Sequence, residues 1–239
     1  MPAVLVHGVP SSPAMWDPLR ACLARRDVVA LRLPGFGCAV PAGFDCTKEA
    51  YVGWLIGELE RQGGPVDLVG HDWGALLVLR AAGLRPDLVR TWAMGNGPVD
   101  PDYVWHRAAQ AWQTPGRGEE VMALMTPERV AQLLEAEGVP AALARAESAG
   151  LDDTMKGAIL RLYRSAVTVG TEWIAPLPPG DRGLVFWGDT DPYAGPELAD
   201  RLAARTGARL LRLPGVGHWL PHQAPAALAP ALEALWRRS

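Results

Sequence analysis

The sequence predicts an α/β fold: a mostly parallel sheet flanked by helices and interrupted by one all-helical insertion. Three observations carry that expectation. Short apolar runs of strand character alternate with helical segments towards both ends of the chain, the stretch from Pro98 to about Thr171 holds no convincing strand, and a glycine-flanked aspartate, Gly70-His71-Asp72-Trp73-Gly74, joins a strand to a helix. Regular strand–helix alternation implies parallel pairing, because each crossover carries a helix across a sheet face. The expected division is a core of residues 1–97 and 172–239 and a helical cap of residues 98–171.

Val4-Leu5-Val6 forms the first strand and ends in the turn His7-Gly8-Val9-Pro10. Ser12 and Pro13 then open a helix as N-cap and first-turn proline. Asp27 to Leu33 reads as the second strand, closed by Pro34-Gly35-Phe36-Gly37. Residues 47–61 form an amphipathic helix with Tyr51, Trp54, Leu55 and Leu59 on one face. Val66, Leu68 and Val69 make a buried strand before the aspartate turn, and the breaker-free run Ala75 to Ala82 makes a buried helix after it. Val89 to Met94 is the next strand. Inside the insertion, Pro115-Gly116, Gly138-Val139-Pro140 and Gly150 separate helical pieces. Strand character resumes at Leu184-Val185-Phe186-Trp187 and at Arg209 to Leu213, with a helix near 196–205 between them. A last helix runs from about 225 to 237, with Arg237-Arg238 as its solvated end.

At 239 residues the chain suffices for one substantial domain with an insertion. Apolar residues at 49% and charged residues at 21% are ordinary for a globular enzyme. A net charge of −3 gives no electrostatic footprint for nucleic acid or an anionic membrane surface. No apolar stretch reaches membrane-spanning length, and no targeting segment is expected ahead of the first strand. Cys22, Cys38 and Cys46, odd in number and without ligand spacing, are expected as reduced thiols in a cytoplasm. His218 and His222 have i, i+4 spacing, but Pro221 lies between them and no glutamate accompanies them, so no metal site is expected.

The aspartate turn is where the chemistry concentrates. A sharp strand-to-helix bend needs glycine on both sides of its central residue, and it lifts that side chain above the sheet beside free helix N–H groups. Asp72 therefore stands where esterases and lipases carry a serine nucleophile; the plainer reading is an N-cap. A carboxylate attacking an ester would form an anhydride. Attack on a saturated carbon bearing a leaving group instead makes an ordinary ester that water can cleave, which points to epoxides or alkyl halides.

Cleaving that ester needs a base, and His218 in Gly215-Val216-Gly217-His218-Trp219 follows a strand, between glycines and a helix. An orienting carboxylate is available in Gly188-Asp189-Thr190-Asp191-Pro192, where either aspartate can serve. Both turns sit at carboxyl ends of strands, where such sheets gather functional groups. The backbone N–H groups of Trp73 and Val9 are the donors expected to stabilise an oxyanion.

With these landmarks in order, the chain resembles α/β-hydrolases of the epoxide hydrolase and haloalkane dehalogenase branch. The resemblance spans nearly the whole length, through His7-Gly8-Val9-Pro10, Pro34-Gly35-Phe36-Gly37, Gly70-His71-Asp72-Trp73-Gly74, Gly188-Asp189-Thr190-Asp191-Pro192 and Gly217-His218-Trp219. It implies the α/β-hydrolase fold, selects Asp191 over Asp189 by spacing, and makes Asp72, Asp191 and His218 nucleophile, acid and base. Relatives usually carry two further strands ahead of the first one here, so the resemblance implies a sheet shortened at its N-terminal edge to six strands.

The resemblance also implies that cap tyrosines hydrogen-bond an epoxide oxygen. Ile159 to Ser165 resembles the family's Tyr-Arg helix, making Tyr163 the ring-opening candidate, against membership of a plain apolar stripe with Leu160 and Val167. The position of the second tyrosine is Ala108, with Tyr103 or His106 as substitutes. Phe36, Trp73, Trp105, His106, Trp112 and Trp219 are expected to line the pocket. The expected activity is cofactor-free opening of an epoxide to a vicinal diol, on a small apolar substrate with water as co-substrate. The alternatives are haloalkane dehalogenation by the same triad, with Trp73 and a cap tryptophan (Trp105 or Trp112) holding the halide, and a non-catalytic small-molecule receptor.

Overall fold

In the computed structural model, which describes residues 1–237, the strands are β1 (Ala3–Val6), β2 (Val28–Leu31), β3 (Val66–His71), β4 (Val89–Gly95), β5 (Gly183–Gly188) and β6 (Arg209–Leu213). They form one six-stranded sheet in the order β2-β1-β3-β4-β5-β6 with every neighbouring pair parallel. Arg238 and Ser239, which include part of the expected basic helix end, lie outside the described residues.

The helices of the core are α1 (Asp17–Cys22), α2 (Lys48–Glu60) and α3 (Trp73–Leu84), each crossing between early strands. Six more follow β4 before the sheet resumes: α4 (Arg107–Gln113), α5 (Arg117–Leu124), α6 (Pro127–Ala136), α7 (Ala141–Ser148), α8 (Asp153–Arg164) and α9 (Val169–Glu172). The core then closes with α10 (Pro196–Thr206), α11 (Leu220–Gln223) and α12 (Pro225–Arg237). The glycine and proline breaks read from the sequence all fall between insertion helices.

Both faces of the sheet are covered, which is why its strands read as continuous apolar runs. Along β1, Val4 and Val6 join the core beneath α2, α3 and the insertion, while Ala3 and Leu5 join a second core with α1 and α12. Alternation within one strand thus feeds two apolar layers.

At the amino end of the sheet the buried Asp67 carboxylate accepts from Arg25 Nη1 at 2.7 Å, Arg90 Nη2 at 2.5 Å and Thr91 Oγ1 at 2.7 Å. A buried carboxylate needs this many partners to offset its lost hydration. At the other end the chain reverses direction: it runs from β1 outwards to β2, then returns past β1 to β3. That reversal opens a crevice beyond the carboxyl ends of β1 and β3, the usual ligand position in such sheets.

Candidate active site

Asp72 follows β3 at this crevice with φ 53° and ψ −125°, a conformation that side-chain-bearing residues rarely adopt. Its surroundings explain the glycines. A Cβ on Gly74 would lie 2.1 Å from the Val6 carbonyl oxygen, one on Gly70 would lie 2.2 Å from the Gly74 carbonyl oxygen, and one on Gly8 would lie 2.3 Å from Asp72 Oδ1. Although Asp72 occupies the N-cap position of α3, its side chain makes no capping bond. With no bond to the N–H groups of the second or third helical residue, it does not serve as an ordinary N-cap.

Oδ1 of Asp72 accepts the Val9 N–H at 2.7 Å, and the Trp73 N–H also supports the carboxylate. The turn that presents Val9 is braced by His7. The Leu33 N–H donates to His7 Nε2 at 3.1 Å, so the ring hydrogen is on Nδ1, which donates to the Gly8 carbonyl at 2.9 Å. Burial lowers the His7 pKa to about 4, which keeps this bridge neutral.

His218 Nε2 faces Asp72 Oδ2 at 3.7 Å, and its Nδ1 bonds Asp191 Oδ2 at 2.8 Å. Asp191 is buried and saturated with donors: Asn96 Nδ2 at 2.6 Å on Oδ2, and the N–H groups of Tyr193 at 2.7 Å and Ala194 at 3.2 Å on Oδ1. Burial alone raises the Asp191 pKa, but the His218 charge and these donors outweigh it and hold the group below its ordinary value. Burial pulls the His218 pKa down, yet the charge and hydrogen bond of Asp191, with the charges of Asp72 and Glu137, lift it to about 9. Burial raises the Asp72 pKa against the opposing pull of His218 and of the two N–H groups. Asp189 bonds Arg212 Nε at 2.8 Å instead, so it is not the carboxylate beside the imidazole.

A carboxylate, an imidazole and a second carboxylate therefore stand in line at the ends of three strands. Residues 3–231 of the chain match the alpha/beta hydrolase family. The chain belongs to that family.

Solved structures similar to this hydrolase include an epoxide hydrolase from Vigna radiata, with a TM-score of 0.81 at 21% identity, covering 100% of this chain and 92% of that one. A haloalkane dehalogenase from Bradyrhizobium elkani superposes with a TM-score of 0.76 at 21% identity, covering 100% of this chain and 91% of that one. At that identity the likeness concerns the fold. Among curated proteins, an (E)-2-((N-methylformamido)methylene)succinate hydrolase from Acinetobacter baylyi is 34% identical over 98 residues. That match spans 40% of the hydrolase and 37% of the relative's own length.

Above Asp72 lies a cavity of about 330 Å³, walled by core turns on one side and by insertion helices on the other. Trp73, Trp105, His106, Trp112, Tyr163 and Trp219 all line it, as does Tyr103. Tyr163, projecting from α8, is boxed by the rings of Trp112 at 4.8 Å, Trp105 at 5.3 Å and Trp73 at 5.4 Å. It does not continue a stripe with Val167, which lies beyond the helix and is 56% exposed.

Of the two substitutes for the second tyrosine, Tyr103 is engaged, donating to the Tyr193 carbonyl at 3.1 Å. His106 caps α4: Nδ1 accepts the Ala109 N–H at 3.4 Å, which leaves its ring hydrogen on Nε2. Burial, then the His218 charge, lower its pKa to about 4.

Phe36 requires a correction. It does not line the cavity but is wholly buried, its ring 5.6 Å from that of His7 and 6.2 Å from that of Tyr51. The turn that carries it points the ring into the core, where it packs behind the Val9 turn.

Three residues at the site escape sequence reasoning: Asn96, Tyr193 and Glu137. Asn96 had a local signal, since it stands between Gly95 and Gly97 at a strand end and adopts φ 52°. Tyr193 and Glu137 had none, because their partners lie far away in the chain. Among the described residues no helix is long and apolar enough to cross a membrane, and no cluster of potential metal ligands is found.

Proposed function

We propose that this hydrolase opens epoxides to vicinal diols through an ester on Asp72, with residues 98–171 acting as a cap over the pocket. The observation that carries the reading is the state of the Asp72 carboxylate. One oxygen is held by the Val9 N–H, and the other faces His218 on the floor of a largely apolar cavity whose wall holds a tyrosine.

In this reading Oδ2 attacks an oxirane carbon and the C–O bond breaks. The departing oxygen takes a hydrogen from the Tyr163 hydroxyl, whose burial raises its pKa well above the ordinary value. A strained ring leaves readily once its oxygen is offered a donor. His218 then accepts a proton from water as that water bonds to the ester carbonyl carbon. The N–H groups of Val9 and Trp73 hold the oxyanion, and the tetrahedral adduct expels the diol oxygen, which recovers the proton from His218. Asp72 leaves this collapse as a carboxylic acid carrying the second water hydrogen, and that proton passes to the Tyr163 phenolate. Carboxylate and phenol are thereby restored, and the sum is epoxide plus water to diol.

A second reading, haloalkane dehalogenation, draws on a specific feature. The indole N–H groups of Trp73 and Trp112 both belong to cavity-lining residues; that of Trp112 has no hydrogen-bond acceptor among the described residues, and that of Trp73 supports the Tyr163 hydroxyl. Two such donors suit a departing halide.

One experiment tests both readings. A single turnover in heavy-oxygen water should add one heavy oxygen to the peptide containing Asp72, with an epoxide and a bromoalkane run in parallel. Label acquired with the epoxide alone supports the first reading, and label with the bromoalkane alone supports the second. No label with either, alongside tight small-molecule binding, would replace both with the receptor reading.

A further inference from the structure

We propose that Glu137, from the cap, is a positioning residue for His218: it grips the two aromatic side chains that flank the imidazole. The inference rests on the covalent mechanism above. Glu137 ends α6, where Gly138 turns left-handed at φ 87° and the Val139 N–H returns to the Leu134 carbonyl at 2.9 Å. That terminus sets the carboxylate against two core turns. Tyr193, two residues after Asp191, donates its hydroxyl to Oε1, and Trp219, the residue after His218, donates its indole N–H to Oε2 at 2.6 Å.

Both rings then meet His218. The Tyr193 ring lies 5.0 Å from the imidazole at 83°, and the Trp219 ring lies 5.1 Å away at 90°. A further limb passes through Gln223, which donates to the Glu137 carbonyl at 2.6 Å and accepts the Gly217 N–H at 2.9 Å. The residues on both sides of His218 in sequence, and the aromatic neighbour of its acid, are thus tied to one cap residue. Asp191 fixes the imidazole along one edge only, and rotation about that hydrogen bond is what the two rings restrict. Orientation of a general base is worth a large part of its effect, because proton transfer tolerates little misplacement.

His218 acts as base only in the second half-reaction, so losing Glu137 should slow ester hydrolysis and spare ester formation. The decisive measurement is a pre-steady-state comparison of wild type, Glu137→Ala, Glu137→Gln and Glu135→Gln with styrene oxide, following the ester by quenching and intact mass. The burst amplitude counts molecules able to form the ester, so any misfolded fraction drops out.

In Glu137→Ala we expect hydrolysis to fall at least tenfold, with kcat lowered by the same factor and kcat/KM unchanged. Glutamine should restore most of the rate, since its carbonyl can accept from Trp219 and its amide can donate to the Tyr193 oxygen. Glu135, on the same helix but paired loosely with Arg145 at 3.8 Å, should behave as wild type. Tyr193→Phe, which keeps the ring and loses the bond, should share the alanine signature in weaker form. An unchanged ratio of formation to hydrolysis in Glu137→Ala would overturn the inference while leaving the nucleophile intact. Absence of any ester in the wild type would instead remove the mechanism on which it rests.

Discussion

Asn96 Nδ2 donates to Asp191 Oδ2 at 2.6 Å, the same oxygen that receives His218 Nδ1 at 2.8 Å. One amide at the end of β4 thus fixes the carboxylate that in turn fixes the imidazole. A hydrogen bond to a charged group is typically worth about 1.5–3 kcal/mol. Asn96→Gly, which accepts the positive φ without strain, should therefore lower the rate of ester hydrolysis by roughly ten- to a hundredfold. Stopped-flow turnover checks this, with circular dichroism confirming that the variant is folded.

The imidazole should also report on its neighbours by titration. In the resting protein His218 is held near 9 against the opposing effect of burial, and the Asp72 charge is one of the causes. Removing a negative neighbour makes the imidazolium easier to deprotonate. Asp72→Asn, a neutral stand-in for the ester, should shift the His218 pKa downwards, as imidazole NMR signals recorded against pH would show. The same change on esterification would let the resting imidazolium release its proton to solvent, leaving a neutral ring free to accept one from the attacking water.

Backbone strain at Asp72 separates stability from activity. Both Asp72→Gly and Asp72→Ala should abolish turnover, but only glycine relaxes at φ 53°. Relief of roughly 1–3 kcal/mol is set against about 0.5–1 kcal/mol of extra glycine chain entropy, so the glycine variant should be the more stable of the two by up to about 2 kcal/mol. Urea unfolding of the two proteins provides the comparison.

A second carboxylate of the insertion helices, Glu147 in α7, predicts a pH effect on stability. Its Oε2 accepts from Ser11 Oγ at 2.8 Å and from the Ser12 N–H at 3.0 Å, while Oε1 stands 3.6 Å from His222 Nε2. Burial raises its pKa to about 7, so its contribution to stability is fully present below the unfolded value of 4.5 and is lost as pH rises through 7. His222, lowered to about 4 by burial, runs the other way: its contribution holds above 6.5 and is lost as pH falls through 4. Glu147→Gln removes the first effect and keeps the second. Its Tm relative to wild type should climb between pH 4.5 and 7 and then level off, as scanning calorimetry would record.

How much of this was legible in the sequence depends on how local each constraint is. Asp72 and Val9 could be read because close backbone approach demands glycine at Gly8, Gly70 and Gly74 within the same short motifs. Strand and helix positions were legible because two covered sheet faces leave uninterrupted apolar runs. The direction of a ring leaving a turn is not local, which is why Phe36 was misplaced: nothing in Pro34-Gly35-Phe36-Gly37 distinguishes a wall of the pocket from the packing beneath it. Glu137 carries no local signal, because its partners Tyr193 and Trp219 come from turns that only the folded sheet brings alongside.

The three-donor clasp on Asp67 sits at the end of the sheet opposite the cavity, with Arg25, Arg90 and Thr91 as its members. Anchorage and selectivity are thereby assigned to opposite poles of the molecule, with no residue common to both. Laboratory evolution of the tryptophan-rich chamber can accordingly explore new occupants while the foundation of the sheet stays untouched.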